Sequence, residues 1–456
     1  MSPLEAVAHY VAQHPNVRNY CVAYSAGVDS HVLLELMTEL RDTDSAINLR
    51  AIHIDHSLQE FSPHWSQHAE DICSGLRVPL TVKRVEVLDK GDGLEASARI
   101  ARYAEFSAFI NPNEHLLLAQ HAEDQAETFL LQALRGSGPD GLSAIPRKRR
   151  FAQGYMGRPL LGCTKDSLLV EARLRHLDWI EDPSNLDTHH DRNYLRHKVM
   201  PLLKARWPSV AKTLGRSALR SSAASQILTT LAKEDLQKTT IEGSAFLSLS
   251  KLKQLPRERV YAVLRLWVRQ RGFRMPRLQD LAQVMSDLVH ARHDSNGIVN
   301  VRDYEFRRFK DSLCLLMPHV EAKPFRYVWS APFNDLFISE TGITLSRSLC
   351  ERQGIVLPAS GSITIKSRAG GELIKLGEPA YHKAVKKVLQ ESSVPPWQRD
   401  SIPLLYIDAR LAAIWNVVVS VDFQFKNTSP TANANSQQED SGLAISQRAD
   451  QNSEPA

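Results

Sequence analysis

The 456-residue chain has only five cysteines, Cys21, Cys73, Cys163, Cys314 and Cys350, and they lie far apart. No C-x-x-C pair occurs, which excludes a zinc ribbon or a thioredoxin-like redox centre and points to a reducing compartment. No apolar run approaches the roughly 20 residues that a membrane helix needs, so no membrane partner is expected. Met1 to Pro15 carries no signal-peptide pattern, and a cytoplasmic location is the expectation. Net charge is small: +5 permits a nucleic-acid partner without requiring one. The two commoner phosphate loops are missing as well. No Lys-Ser/Thr pair follows a glycine in the Walker A manner, and there is no G-x-G-x-x-G run.

What is present is a small, polar hexapeptide, Ser25-Ala26-Gly27-Val28-Asp29-Ser30. An apolar run of strand length, residues 20–24, precedes it, and Leu33, Leu36, Met37 and Leu40 follow at helical spacing. Where a strand turns into a helix, the first backbone N–H groups are unpaired and the helix dipole favours an anion. Ser25 and Ser30 add hydroxyl donors, Gly27 permits close approach of the backbone, and Asp29 suits Mg²⁺. The pattern reads as a pyrophosphate-gripping loop; an ordinary helix cap would use the same residues.

Strand and helix then alternate to about residue 135. Residues 49–54, 80–85 and 115–119 read as strands. Trp65, Ala69, Ile72, Cys73 and Leu76 form one helical face, and further helices are expected over 95–109 and 125–134. Repeated β-α units imply a parallel sheet with ligands at the carboxyl ends of its strands. His53-Ile54-Asp55-His56-Ser57-Leu58 leaves the second strand, either as a plain polar loop or as a wall for a nucleoside. After the fourth strand, Asp124 and Glu127 stand three apart at a helix start and share a face, as capping acids or as receptors for Mg²⁺ or a cationic substrate. Arg99 and Arg102 are close on a helix and within reach of a phosphate. The glycine-rich stretch 135–142 suggests a mobile active-site loop. The run Arg147-Lys148-Arg149-Arg150 reads as a solvated turn that also suits RNA phosphates.

These motifs together carry a resemblance. Ser25 to Ser30 resembles the S-G-G-x-D-S signature of the N-type ATP pyrophosphatases. His53 to Leu58, Glu95 to Tyr103, Ala119 to Thr128 and Arg135 to Leu142 are similar, in order and spacing, to motifs of the bacterial tRNA(Ile)-lysidine synthetases. So are Arg158 to Leu161, Trp179 to Asn185, Asp191 to Arg196, Pro201 to Leu203 and Val394 to Asp400. Ala26 replaces the usual second glycine, and Gln59 stands where the family often has arginine.

The resemblance implies a parallel-sheet, Rossmann-like α/β nucleotide-binding domain of the PP-loop type over residues 1–212. A mostly helical tRNA- or substrate-binding domain over 213–320 and a small α+β tRNA-binding domain over 321–426 would follow. It implies conversion of the wobble cytidine of tRNA(Ile) with a CAU anticodon to lysidine, through an adenylated cytidine. ATP and free L-lysine are consumed, AMP and pyrophosphate released. Codon reading changes from AUG to AUA and identity from Met to Ile. ATP would meet Ser25, Ala26, Gly27, Val28, Asp29, Ser30, His53 and Arg99; Mg²⁺ would meet Asp29 and Asp124. The catalytic set would be Asp29, Asp124 and Glu127, and the tRNA contacts Arg192, Arg196, Lys383, Lys386 and Lys387. The family leaves room for a homodimer. A PP-loop tRNA thiolase and a non-catalytic adenine-nucleotide regulator are the competing readings. A thiolase needs grouped cysteines, and mere binding does not need three carboxylates.

Beyond Trp207 the alternation stops. Val260, Leu264, Trp267 and Val268 form one helical stripe and Leu278, Leu281, Met285 and Leu288 another, with a hairpin expected around Tyr304, Phe306 and residues 312–316. Strands are expected over 363–366, 404–407 and 411–419, with Lys383, Lys386 and Lys387 striped along one short helix. Residues 427–456 lack aromatics and read as a disordered tail.

Overall fold

A computed structural model describes residues 1–55, 62–85, 94–181, 189–292, 297–318 and 323–424. His56 to Gln59, Asp182 to Asn185 and the tail from Asn427, each given a reading above, lie outside the described residues. The described chain divides into two units, with the boundary between Leu231 and Ala232.

The first unit opens with a helix that the apolar pattern did not announce, α1 (Pro3–Ala12). The Ser2 hydroxyl accepts from Glu5 N–H, and the Glu5 carboxylate accepts from Ser2 N–H at 2.7 Å, so two end groups satisfy each other. Then come β1 (Asn19–Ala23), α2 (Val28–Thr43), β2 (Asn48–Asp55), α3 (Ser62–Gly75), β3 (Leu80–Arg84), α4 (Leu94–Phe109), β4 (His115–Leu117) and α5 (Ala122–Leu134). A short α6 (Pro139–Leu142), β5 (Lys148–Phe151), β6 (Gly154–Gly157) and α7 (Lys165–Leu174) follow.

The six-stranded sheet runs β3-β2-β1-β4-β6-β5, parallel throughout except for the β5–β6 pair. Side chains alternate across each strand, so β1 sends Tyr20 and Val22 into one core and Cys21 into the other. The first core receives Leu33, Leu36 and Met37 of α2 with Leu168 and Ala172 of α7; the second receives Tyr103 and Phe106 of α4. Burial on both faces is why the strands read as unbroken apolar runs. The strand order reverses between β1 and β4, which opens a crevice at the carboxyl edge. The loops leaving β1 and β4 flank that crevice.

Two expectations change in this unit. The basic run is a strand rather than a turn: Lys148 pairs with Gly157 and Phe151 with Gly154, because β6 offers a free edge. A side chain at Gly157 would collide with Tyr10, so glycine is needed there. The glycine-rich stretch contains a short helix: α5 ends at Leu134, Gly136 turns with φ 68°, and α6 follows. Farther on, Asp191–Tyr194, a π-helical turn Leu195–Val199 and Met200–Arg206 form one continuous helical run. The wide turn sits just before Pro201, which has no N–H and crowds the carbonyl four residues back.

In the second unit the first expected stripe lies on helix Arg257–Gln270, with Val260, Leu264, Trp267 and Val268 buried. The second runs from helix Leu278–Val284 into a π-helical turn Met285–Val289, with Leu281, Met285 and Leu288 buried and Leu278 exposed. The hairpin is Tyr304–Phe309 with Ser312–Leu316, joined by Ile298–Val301. A five-stranded sheet contains Arg326–Ser330, Ser362–Lys366, Leu404–Ile407, Arg410–Ile414 and Val418–Val419. Residues 411–419 are thus two antiparallel strands, turning near Asn416 at φ 55°. Lys383 is not on the helix. It lies in strand Tyr381–Ala384, paired with Ile374, and only Lys386 and Lys387 belong to helix Val385–Glu391.

Candidate active site

The β1–α2 loop is built by its own residues. Ala26 is fully buried at φ 61°, the left-handed region, which costs an alanine roughly 1–2 kcal/mol. Ile180 N–H holds the strained carbonyl of Ala26 at 3.0 Å. The Ser30 hydroxyl donates to Gly27 O at 2.9 Å and accepts from Ser25 N–H at 3.1 Å. No side chain caps α2 at Gly27, whereas Ser2 caps α1 and Thr164 caps α7. The first N–H groups of α2 are therefore open to an anion.

Across the crevice, the start of α5 gathers carboxylates around one imidazole. His121 is buried at the helix cap, with Nδ1 3.0 Å from Glu123 and Nε2 3.5 Å from Asp124 Oδ2 and 3.6 Å from Asp29 Oδ2. Burial pushes the His121 pKa down, but Asp124, Glu123 and Asp29 together outweigh it and hold the imidazole above its ordinary value. Asp124 is pulled the other way: burial raises it, and His121, Arg192 and Arg196 bring it below the usual carboxylate range. The Lys165 ammonium, at the start of α7, lies 2.8 Å from both oxygens of Asp29.

Glu127 is 1% exposed and gripped by two arginines. Arg192 Nε donates to it at 2.9 Å and Arg196 Nε at 2.8 Å, while their Nη2 atoms reach Asp124 at 2.8 and 3.2 Å. The expected acids and arginines thus meet one another. His53 is buried at the end of β2, Nδ1 2.8 Å from Tyr24 O, and burial lowers its pKa, so it is neutral near pH 7. Arg99 is exposed on α4, with its guanidinium 4.7 Å above the Tyr103 ring. Lys386 and Lys387 are exposed, while Lys383 pairs with Glu391.

Sequence reasoning missed His121, Glu123 and Lys165 as site residues. Their only sequence signals are a histidine one step ahead of an acidic helix start and a lysine just inside a threonine cap.

Among the described residues no group of three or more His, Cys, Asp and Glu is arranged to hold a metal by itself. Mg²⁺ asks for less, one or two carboxylates completed by phosphate oxygens and water. Asp29 and Asp124 fit that demand. Both approach the same His121 nitrogen, and a cation already sits on Asp29.

The reversed sheet order, the uncapped α2 and the loop from Ser25 to Ser30 define a PP-loop nucleotide-binding fold, and a PP-loop domain model matches residues 4–203. Models described as TilS substrate binding domain and TilS substrate C-terminal domain match residues 247–314 and 363–435. The tRNA(Ile)-lysidine synthase of Coxiella burnetii is 37% identical, covering 92% of this chain and 94% of that protein. That of Serratia proteamaculans is 37% identical over 88% and 92%, and that of Methylococcus capsulatus 36% over 88% and 92%. The chain belongs to the tRNA(Ile)-lysidine synthase family.

Proposed function

We propose that this chain joins the side-chain amine of L-lysine to C2 of the wobble cytidine in tRNA(Ile), by way of an adenylated cytidine. One observation carries the reading. An uncapped helix start suited to phosphate faces a carboxylate cluster suited to a cation, across the point where the strand order reverses. ATP brings the anion and lysine the cation.

In this reading Ser25, Ala26, Gly27, Val28, Asp29 and Ser30 cradle the β- and γ-phosphates with backbone N–H groups and hydroxyls. His53 closes the nucleoside side, and Arg99 serves a phosphate. Asp29 and Asp124 would hold Mg²⁺, which would supply charge neutralisation as the cytosine oxygen attacks the α-phosphorus and pyrophosphate leaves. AMP then becomes the leaving group from C2. The lysine amine has a reference pKa of about 10.4 and must shed a proton before it attacks. Glu127 and Asp124 receive the ammonium or take that proton. Arg192 and Arg196 now hold these acids; to touch RNA as well, they exchange partners.

Residues 1–212 form the catalytic domain, and 213–320 and 321–426 bind tRNA, with Lys383, Lys386 and Lys387 among the contacts. ATP–pyrophosphate exchange, with and without tRNA, tests the chemistry. Exchange that requires tRNA(Ile) but not lysine supports it. Exchange independent of tRNA contradicts it.

A further inference from the structure

Three arginines gather around one tyrosine on the α4 side of the sheet. The guanidinium of Arg149 lies 5.7 Å from the Tyr103 ring and 5.8 Å from that of Phe151, and Arg99 covers Tyr103 at 4.7 Å. Arg158, only 4% exposed, completes the group: Nη1 donates to Pro146 O at 2.8 Å, Nη2 to Met156 Sδ at 3.1 Å, and Nε to Gln120 Oε1. All three of its acceptors are neutral. Among the described residues no carboxylate forms an ion pair with Arg99, Arg149 or Arg158, and the buried Nε of Arg149 meets no acceptor.

Burial, and then repulsion from Arg149 and Arg99 against the opposing pull of Tyr103, lowers the Arg158 pKa to about 10. Like charges held this close are unfavourable without a counter-charge, and arginine forks match phosphate oxygens.

Topology places the group at the carboxyl edge. Arg158 follows the end of β6, and β5 runs antiparallel to it, so Arg149 near the start of β5 returns to the same edge. Two strands separate β5 from β1, which puts the two loops about 14 Å apart at ordinary strand spacing. A nucleotide whose phosphates fill the β1 loop leaves this second group free. We propose that Arg149 and Arg158, with Arg99, form a receptor for a phosphodiester of the RNA strand that carries the target cytidine. The proposal rests on the RNA substrate argued above, and it moves Arg99 from the nucleotide's phosphates to the RNA's.

The test titrates binding of a tRNA(Ile) transcript against KCl for the wild-type chain, Arg149→Gln and Arg149→Lys, with thermal melting as the check on folding. Loss of one single-strand phosphate contact should flatten the slope of log K against log salt by about 0.7 in Arg149→Gln, at unchanged ATP affinity. Arg149→Lys should restore the slope. If Arg149→Gln fails to fold, the exposed Arg99→Gln is read for the same loss of slope. An unchanged slope in a folded variant overturns the proposal. So does reduced ATP affinity at unchanged tRNA slope, which would give the group to the nucleotide. If the wild-type chain itself does not bind tRNA, the functional reading fails and this proposal with it.

Discussion

Lys165 Nζ lies 2.8 Å from each carboxylate oxygen of Asp29, bridging α7 to the phosphate loop. Both side chains are about a third exposed, 35% and 28%, so the pair adds little to stability, on the order of 1 kcal/mol or less. Its value is positional: a cation is fixed where Mg²⁺ and phosphate are expected. Asp29→Asn should keep the fold and abolish pyrophosphate release. Lys165→Met should lower that release by about 10²–10³-fold with little change in melting temperature. Near-normal release by both purified variants would remove this pair from the chemistry.

Glu127 separates the two half-reactions. If it receives the lysine amine, Glu127→Gln forms the adenylated tRNA and fails to capture lysine, and single-turnover analysis with labelled ATP and lysine shows the intermediate accumulating. Should adenylation itself disappear, Glu127 belongs with the metal and the phosphates. The arginines on Glu127 keep a hydrogen-bond acceptor in the glutamine variant, so its fold should survive.

Most of the sheet was legible in the sequence, because burial on both faces leaves apolar runs such as residues 20–24 with turn residues after them. The replacement of the usual second glycine by Ala26 marked this loop position in the sequence, and the structure puts its backbone in the left-handed region at φ 61°. Contacts between distant segments were not. Asp124 and Glu127 are three apart and Arg192 and Arg196 four apart, so each pair marks a helical face. Nothing local says that one face meets the other. Four consecutive basic residues hid β5, whose evidence lies in its partner β6. Lys383 looked helical beside Lys386 and Lys387, but pairing with Ile374 fixed it in a strand.

That correction sharpens a prediction for the C-terminal sheet region. Lys386 and Lys387 are exposed and, among the described residues, pair with no carboxylate, whereas Lys383 is engaged with Glu391. Lys386→Ala with Lys387→Ala should therefore weaken tRNA binding and flatten its salt slope by up to about two units, and adding Lys383→Ala should change little more. ATP affinity should stay constant. A salt slope unaltered in the double variant would make this a solvated face.

His115 on β4 supplies a pH test independent of activity. It is buried, Nδ1 is 2.9 Å from the Tyr10 hydroxyl, and burial with the nearby His14 and Lys148 lowers its pKa to about 4. The unfolded chain binds a proton near pH 6.5 that the folded chain refuses until about pH 4. The contribution to stability is thus complete above pH 6.5 and is lost as pH falls through that window, up to about 3 kcal/mol. Denaturation midpoints at pH 7.5 and 5.0 should drop more for the wild type than for His115→Gln. Equal drops would contradict the assignment.

The most direct measurement of the central claim is the product itself. Purified chain is incubated with a tRNA(Ile) transcript carrying a CAU anticodon, labelled L-lysine and ATP, and the RNA is digested for nucleoside mass spectrometry. The account predicts one lysine joined to the wobble cytidine for each AMP and pyrophosphate released, and none when ATP is omitted. Formation of ADP in place of AMP, or a wobble cytidine left unmodified while ATP is consumed, would contradict it.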